Sequence, residues 1–164
     1  VALINIGAEL TNINLVMGGV PLYTQDLPLG GNAFLDGLQK KHGVSRADAF
    51  ASLRPGEAVP GIDLDPGLRS FCADLSTALE RSLVYLKSSG DADKLDRVLL
   101  SGGGARIHGL VPILAERLKV PVEAADMLRR LQFTPELFSG TDPHEVAPQL
   151  AVGLGLALRK VRAK

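Results

Sequence analysis

The sequence lacks the residues from which covalent frameworks and metal sites are usually built. Cys72 is the single cysteine among 164 residues, so the chain can form neither an internal disulfide nor a cysteine-based zinc cluster. The three histidines, His42, His108 and His144, lie far apart, and none has a second histidine at the spacing of a helical zinc site. The composition therefore argues against a disulfide-rich module and against a metalloenzyme.

The chain also lacks an excess of either charge and any long hydrophobic run. Lys plus Arg and Asp plus Glu both number 18, so no net field favours nucleic acid or an acidic membrane surface. The longest apolar stretch, 150–158, contains two glycines and is far shorter than the ~18 residues of a membrane-spanning helix. We predict no nucleic-acid partner and no direct insertion into a membrane.

The sequence gives little support to a nucleophilic enzyme. Ser101 does not lie in a Gly-x-Ser-x-Gly motif, and no histidine or carboxylate is tied to it by sequence. Cys72 falls on the apolar stripe of a predicted helix, which is typical of an inert core residue. We therefore predict no catalytic residue in this chain.

What the chain does contain is the pattern of a packed α/β domain. Hydrophobic residues make up 46% of the sequence, enough for one domain with a core. Runs at 1–6, 10–16 and 20–27 predict three antiparallel strands, and Gly18-Gly19 is typical of a two-residue hairpin turn. The chain opens without a methionine, inside the first of these strands, and we interpret it as a fragment of a longer protein.

Helices and further strands follow this meander. Apolar spacing predicts helices at 33–41, 45–53, 65–90 and 110–118, and strands at 96–101 and 120–124. Asp65 is expected to cap the long helix. The run 147–158 predicts a last helix buried on all sides, in which Gly153 and Gly155 allow a neighbouring backbone to approach. The whole is an α/β fold with a mixed sheet, in which helices flank the three-strand meander and the parallel strands.

Two glycine-containing loops could bind phosphate or a base. Residues 7–9, followed by Thr11, could present backbone N–H groups and a hydroxyl, although an ordinary hairpin turn explains the same residues and is favoured for the loop alone. Residues 101–105 lie between a strand and a helix, where bare backbone can pack against a ring or phosphate. Ile107 excludes the dinucleotide fingerprint and no P-loop follows, so a tight strand-to-helix turn is an equal alternative.

Five segments in order carry a resemblance that covers nearly the whole chain. They are 3–11 (LINIGAELT), 26–32 (DLPLGGN), 80–83 (ERSL), 99–110 (LLSGGGARIHGL) and 147–158 (APQLAVGLGLAL). The chain resembles the second half of the actin, chaperone and sugar-kinase superfamily, and most closely the PilM family of type IV pilus assembly proteins. The resemblance implies an actin-like (ribonuclease H-like) lobe over 1–164, with a small inserted subdomain at about 45–64 and the first lobe missing.

The resemblance also implies a site for ATP with Mg²⁺ in a cleft between two lobes. The first loop would face the phosphates, the glycines after the third strand would lie near the sugar, and the second loop would flank the adenine. The residues are Gly7, Ala8, Glu9, Thr11, Gly30, Gly31, Gly102, Gly103, Gly104, Ala105 and Arg106, with Asn5 at the position that holds magnesium through water.

The chain departs from the family pattern at this implied site. Asn5 stands where relatives have aspartate, and a neutral amide lacks the charge that a hard cation wants. Phe50 and Leu53, with Arg54 one residue beyond, stand where relatives carry the Glu and Lys that reach the ribose, and His108 replaces a proline. Hydrolysis is expected to suffer more than binding.

The resemblance implies a non-catalytic scaffold on the cytoplasmic face of the inner membrane, peripheral to it. Such a scaffold holds the cytoplasmic tail of the membrane protein PilN, and contacts other pilus assembly proteins. Two alternatives stay open: an active ATPase or sugar kinase of the superfamily, which Asn5 disfavours, and a filament-forming relative with a role in cell division or shape. This fragment alone is not expected to be catalytic.

Overall fold

A computed structural model describes residues 1–54, 56–57, 59–89, 94–129 and 131–159. The strands are β1 (Ala2–Ile6), β2 (Thr11–Met17), β3 (Val20–Leu27), β4 (Val98–Ser101) and β5 (Val122–Ala124). The helices are α1 (Gly31–His42), α2 (Arg46–Ala51), α3 (Asp65–Ser89), α4 (Leu110–Leu118), α5 (Pro143–Val146) and α6 (Ala151–Ala157). Short 3-10 turns lie at Gly103–Arg106, Pro135–Phe138 and Ala147–Leu150.

The strands form a single five-stranded sheet in the order β3-β2-β1-β4-β5. β1, β2 and β3 pair antiparallel, whereas β4 pairs parallel to β1 and β5 parallel to β4. Gly18 and Gly19 have φ of 58° and 84°, as a two-residue hairpin turn requires at both central positions. The predicted mixed sheet, a meander with parallel strands added at one side, is confirmed.

The core lies between the sheet and the long helix α3. Alternate residues of β1 point into it, and Ala2, Ile4 and Ile6 are each fully buried. The predicted apolar stripe of α3 meets them, with all but the partly buried Leu83 inside: Leu68, Phe71, Cys72, Leu75, Leu79 and Leu86. Burying one such side chain stabilises the fold by about 1.5–3 kcal/mol, so this contact is a major source of its stability.

Most helix ends follow the local signals. α1 ends at Gly43, whose φ of 66° is the left-handed conformation of a C-terminal cap. Ser45 caps α2, since its side chain accepts a hydrogen bond from the Asp48 N–H. Asp65 is not the predicted cap: it is the first residue of α3, and its N–H donates to the Asp63 side chain at 3.1 Å.

The prediction for the C-terminal run is wrong. Residues 147–158 do not form one buried helix but a 3-10 turn followed by the seven-residue α6. Val152, Leu156 and Leu158 are 62%, 64% and 68% exposed, because no described part of the chain covers this face of α6. A Cβ added at Gly153 or Gly155 would meet nothing within 4 Å, so neither glycine serves a close approach of backbones.

Candidate functional site

The two predicted loops emerge side by side because their strands are parallel neighbours. β1 and β4 pair with Asn5 opposite Ser101, so the residues that follow each strand leave the sheet at the same edge. Ligands of open α/β sheets bind outside the carboxyl ends of the strands. The sheet topology therefore brings together the two segments that local sequence left ambiguous.

The first loop, 7–9, is held in place by the residues that follow β3. Gly7 donates its N–H to the Leu10 carbonyl at 2.9 Å, which closes the turn. Gly31 N–H donates to the Gly7 carbonyl at 2.9 Å, and Asn32 N–H donates to the Ala8 carbonyl at 2.8 Å. Ala8 and Glu9 are exposed at the tip, and within the described residues their N–H groups donate to no backbone carbonyl. The tip can therefore offer two N–H donors to an anion.

Gly30 serves this loop by its lack of a side chain, whereas Gly31 serves it through its backbone N–H. A Cβ on Gly30 would collide with the backbone of Ala8 and Glu9, so only glycine permits the approach. The Asn32 amide also donates to the Glu9 carboxylate. The resemblance implies that these glycines lie near the sugar of a nucleotide, and that role stays a prediction; the structure places them against the first loop.

Thr11 does not face the edge of the site as expected. It is fully buried, and its hydroxyl donates to the Leu29 carbonyl at 2.5 Å. Because the hydroxyl is used inside the fold, it cannot reach a bound phosphate. The hydrogen bond of Thr11 connects β2 to the segment that follows β3.

The second loop packs tightly onto β1. Gly102 has φ of 83° and donates its N–H to the Pro148 carbonyl at 2.7 Å. A Cβ on Gly104 would collide with the Ile6 side chain, and Ala105 is 5% exposed. Gly103 alone among the loop's three glycines is exposed with nothing within 4 Å of an added Cβ. Gly103 is therefore the point at which a flat group could approach this backbone.

Arg106 reaches the surface beside Gly103 but already has a partner. Its guanidinium lies 3.4 Å from a carboxylate oxygen of Glu145 in α5, and its side chain is 36% exposed. A single partly exposed ion pair of this kind is worth about 0–1 kcal/mol. It orients the guanidinium without preventing contact with a ligand. Sequence reasoning missed Glu145, since 39 positions separate the two residues.

A row of polar side chains crosses the sheet next to both loops. The strand register pairs Ser101 with Asn5, Asn5 with Asn12, and Asn12 with Asp26. Ser101 Oγ donates to Asn5 Oδ1 at 3.3 Å, or to the Ile4 carbonyl at 3.4 Å. Asn5 Nδ2 donates to Asn12 Oδ1 at 3.2 Å, and Asn12 Nδ2 donates to Asp26 Oδ1 at 2.7 Å. We call these four residues the polar row.

Sequence reasoning did not find the polar row, although the signal was present. Asn5, Asn12 and Asp26 each occupy a strand position that alternates with core residues, so each had to lie on the less buried face of the sheet. Their alignment depends on the register of three strand pairs. A one-residue shift in any pair would have separated them.

Phe50 and Leu53, at the implied ribose position, offer no polar side chain to a sugar, and only Arg54 beside them carries one. Phe50 is 52% exposed, and the Arg54 guanidinium carbon lies 5.6 Å from its ring centroid. Leu53 is 8% exposed, and its carbonyl accepts the His108 N–H at 2.9 Å. That bond ties the end of α2 to the second loop.

The described residues contain no group of three His, Cys, Asp or Glu side chains that could hold a metal ion. His144 Nδ1 lies 3.0 Å from Asp126 Oδ2, an isolated pair.

The pKa of the Cys72 thiol is raised to about 11, mainly by burial, with the charges of Arg117 and Arg69 opposing. A thiol that stays neutral at pH 7 is not a nucleophile, in line with its place in the core.

The geometry fits a phosphate group better than a bare cation. Two exposed N–H groups and an open glycine backbone suit an anion, whereas Asn5 offers one neutral amide oxygen where a hard cation favours a carboxylate. A cavity of about 240 Å³ lies elsewhere, between α1 and α3, lined by residues such as Phe34, Lys41 and Asp74.

Comparisons with known proteins identify similar chains. A solved PilM–PilN type IV pilus biogenesis complex matches with a TM-score of 0.77 and 27% identity, over 96% of this chain and 45% of that chain. MreB 5 of Spiroplasma citri bound to AMPPNP matches with a TM-score of 0.59 and 15% identity, over 76% of this chain and 47% of that chain. These matches confirm the predicted actin-like fold.

A curated relative and a family description complete the comparison. The cell shape-determining protein Mbl of Bacillus subtilis is 32% identical over 94 residues, which is 57% of this chain and 28% of Mbl. The match thus covers less than half the length of each of these three proteins. Within the part of the chain that the structure describes, every helix is too short or too polar to span a bilayer. Since the family described as type IV pilus assembly protein PilM matches residues 1–161, the chain belongs to the PilM family.

Proposed function

We propose that the full-length protein is a nucleotide-binding scaffold of type IV pilus assembly, and that residues 1–164 are its second lobe. The observation that carries this proposal is the meeting of the two glycine loops at the carboxyl ends of β1 and β4. The same edge carries the cationic Arg106 and the exposed N–H groups of Ala8 and Glu9.

Nucleotide binding follows from the chemistry of this edge. The N–H groups of Ala8 and Glu9 bind phosphate oxygens, and the open backbone at Gly103 packs against the adenine. Arg106 flanks the base from the side of α5. Gly30 and Gly31 hold the phosphate loop in position, and Gly102, Gly104 and Ala105 hold the adenine loop. MreB 5, whose fold is similar, is bound to AMPPNP in its solved structure.

Hydrolysis is weak or absent in this proposal. Asn5 faces the loop edge with a neutral amide, and its amide nitrogen is already used by Asn12. A magnesium ion bound with ATP would lie near Asn5 without a carboxylate to order its water shell. Retained binding without turnover suits a protein whose work is assembly.

The exposed face of α6 supports a second lobe outside this chain. Val152, Leu156 and Leu158 present apolar surface that no described residue covers. The matched chain of the similar complex is more than twice as long as the part that this chain covers. In our proposal the first lobe covers α6 and closes the nucleotide cleft, while 45–64 forms a small inserted subdomain.

The partner we propose is the cytoplasmic tail of the membrane protein PilN, together with other pilus assembly proteins. The similar solved structure is a complex of PilM with PilN. The protein would then lie in the cytoplasm, peripheral to the inner membrane. In our proposal the first lobe supplies most of the tail-binding surface.

The test is a calorimetric titration of the full-length protein with ATP and Mg²⁺, with phosphate release measured in parallel. The Asn5→Asp variant restores the carboxylate next to the phosphate loop. Lys87→Gln is its control, because it changes the net charge by the same one unit at the exposed end of α3. We expect binding without release in the unchanged protein and in the control, and release in Asn5→Asp.

Absence of ATP binding in all three proteins would refute the nucleotide proposal. Rapid release in the unchanged protein would instead favour the active ATPase. A parallel titration with a peptide of the PilN tail tests the scaffold proposal separately. That proposal requires the full-length protein to bind the peptide.

A filament-forming protein is the second candidate, and the match to Mbl favours it. Sedimentation of the full-length protein over a range of concentrations separates the two. A scaffold stays in discrete particles, whereas a filament former appears in the pellet above a critical concentration. Pelleting that depends on nucleotide would support the filament.

A further inference from the structure

The polar row has a direction, and Asp26 sets it. An ionised carboxylate only accepts hydrogen bonds, so Asn12 must turn its amide nitrogen toward Asp26. The Asn12 oxygen then faces β1, and Asn5 must donate to it. The Asn5 oxygen is left facing β4 and the second loop. The order follows from the chemistry of the last residue, not from the assignment of any one amide.

The Asn5 oxygen borders the loop edge. It lies 2.9 Å from the place that a Cβ on Gly102 would occupy. It accepts at most one hydrogen bond from Ser101, so a second lone pair is available. Asn5 is half-buried, so its side chain is not sealed inside the core.

We infer that Asp26 is a positioning residue for the nucleotide site: through Asn12 it fixes the Asn5 amide with its oxygen toward the 102–106 loop. The inference rests on the proposed function for its ligand. The direction of the amides does not, because it is present without any ligand.

The chemical consequence is a preference in what meets Asn5. An amide oxygen accepts, so the ligand group there is a hydrogen-bond donor, either a hydroxyl or a water molecule held by a cation. A phosphate oxygen is itself an acceptor and is directed to the N–H groups of Ala8 and Glu9 instead. Reversal of the row would present the amide nitrogen and exchange these preferences.

The row also offers a reason for asparagine at position 5. An aspartate there would place Asn12 between two carboxylates, and each carboxylate can only accept a hydrogen bond from the Asn12 amide nitrogen. The Asn12 oxygen would then face one of the two charges. Within the row, a carboxylate at one end requires amides or hydroxyls at the other positions.

The direct test is NMR of the side-chain amide groups of Asn5 and Asn12 in the full-length protein without nucleotide. In Asp26→Asn the end of the row can donate or accept, so we expect the Asn5 amide signals to shift and to divide between two orientations. Asp74→Asn is the matched control, as it removes an exposed carboxylate from α3. It should leave both signals unchanged.

A rescue variant distinguishes direction from general disturbance. Asn12→Asp combined with Asp26→Asn moves the carboxylate one strand closer, where it accepts from Asn5 on one side and from position 26 on the other. We expect the Asn5 signals to return to a single orientation. Asn5 signals that stay unchanged in Asp26→Asn, or that the rescue variant fails to restore, would overturn the inference.

Titrations with ATP test the ligand, with and without Mg²⁺. Loss of one oriented acceptor should weaken binding about two- to tenfold in Asp26→Asn, and the rescue variant should recover it. If Asp26→Asn weakens ATP binding only when Mg²⁺ is present, the donor is a water molecule held by the cation. If it weakens ATP binding both with and without Mg²⁺, the donor is a hydroxyl. Equal affinity in all variants would overturn the positioning role. Failure of ATP to bind at all, with the NMR changes as expected, would refute the proposed ligand and leave the direction of the row intact.

Discussion

The centre of the sheet and the C-terminal helix have similarly apolar sequences, but the first is buried and the second is exposed. In β1, Ile4 and Ile6 are fully buried in the core cluster that they share with α3. In α6, Val152 and Leu156 are 62% and 64% exposed. Both sequences predict a buried core segment, but in this chain only the first segment is buried.

The difference lies in where the partner surface comes from. The sheet finds its cover in α3, less than a hundred residues away in the same chain, and the two bury each other. The described residues contain no second surface for α6. Apolar composition predicts that a segment is stabilised by burial, but it does not predict which part of a protein packs against that segment.

The largest expected effect comes from breaking the covered side. Leu79 in α3 is fully buried, whereas Val84 on the same helix is 66% exposed. Leu79→Ala should destabilise the protein by about 2–5 kcal/mol, because it removes buried methyl groups and leaves a cavity. Val84→Ala should change stability by less than about 0.5 kcal/mol. Urea unfolding followed by circular dichroism measures both.

Similar losses in the two variants would contradict the burial difference along α3. A large loss in Val84→Ala, in particular, would mean that its exposed face contacts another part of the full-length protein. That outcome would place α3 with α6 among the surfaces covered from outside this chain.

An intermediate effect is expected where the second loop meets β1. A Cβ on Gly104 would collide with Ile6, whereas a Cβ on its neighbour Gly103 would meet nothing. Gly104→Ala should therefore cost about 1–3 kcal/mol through overpacking and displace the loop, while Gly103→Ala should leave the fold unchanged. Thermal unfolding provides the measurement. Equal melting temperatures for the two variants would show that the loop yields easily and is not held by β1.

The parts of the fold that local chemistry determines were predictable from sequence. Gly18-Gly19 gave the hairpin, Ser45 the start of α2, and Gly43 the end of α1, because each signal acts within a few residues. The stripe of α3 was equally clear from its period. Such features need no knowledge of distant contacts.

Apart from the Asp65 cap, the parts that failed depend on contacts between distant segments. Thr11 looked like a hydroxyl available to phosphate, yet Leu29, which takes its hydrogen bond, is 18 residues away. The Arg106–Glu145 pair and the polar row lie across the fold in the same way. For the candidate site, the family resemblance named both loops, and the structure places them at one edge of the sheet. The sequence did not show which of their groups remain available to a ligand.

The smallest effect in this chain, and the one that most sharpens the comparison, is expected at α6. Leu156→Ser should change the stability of the 164-residue chain by less than about 0.5 kcal/mol, because the side chain is already 64% exposed. In the full-length protein the same change should cost about 1–2 kcal/mol, since our proposal places the first lobe over this face. Val84→Ser is the control, because it makes the same kind of change at the exposed apolar position of α3 and should be small in both proteins. Paired urea unfolding curves give the four values. An equally small loss for Leu156→Ser in the full-length protein would mean that α6 stays uncovered there, and the first lobe would then have to close the nucleotide cleft without it.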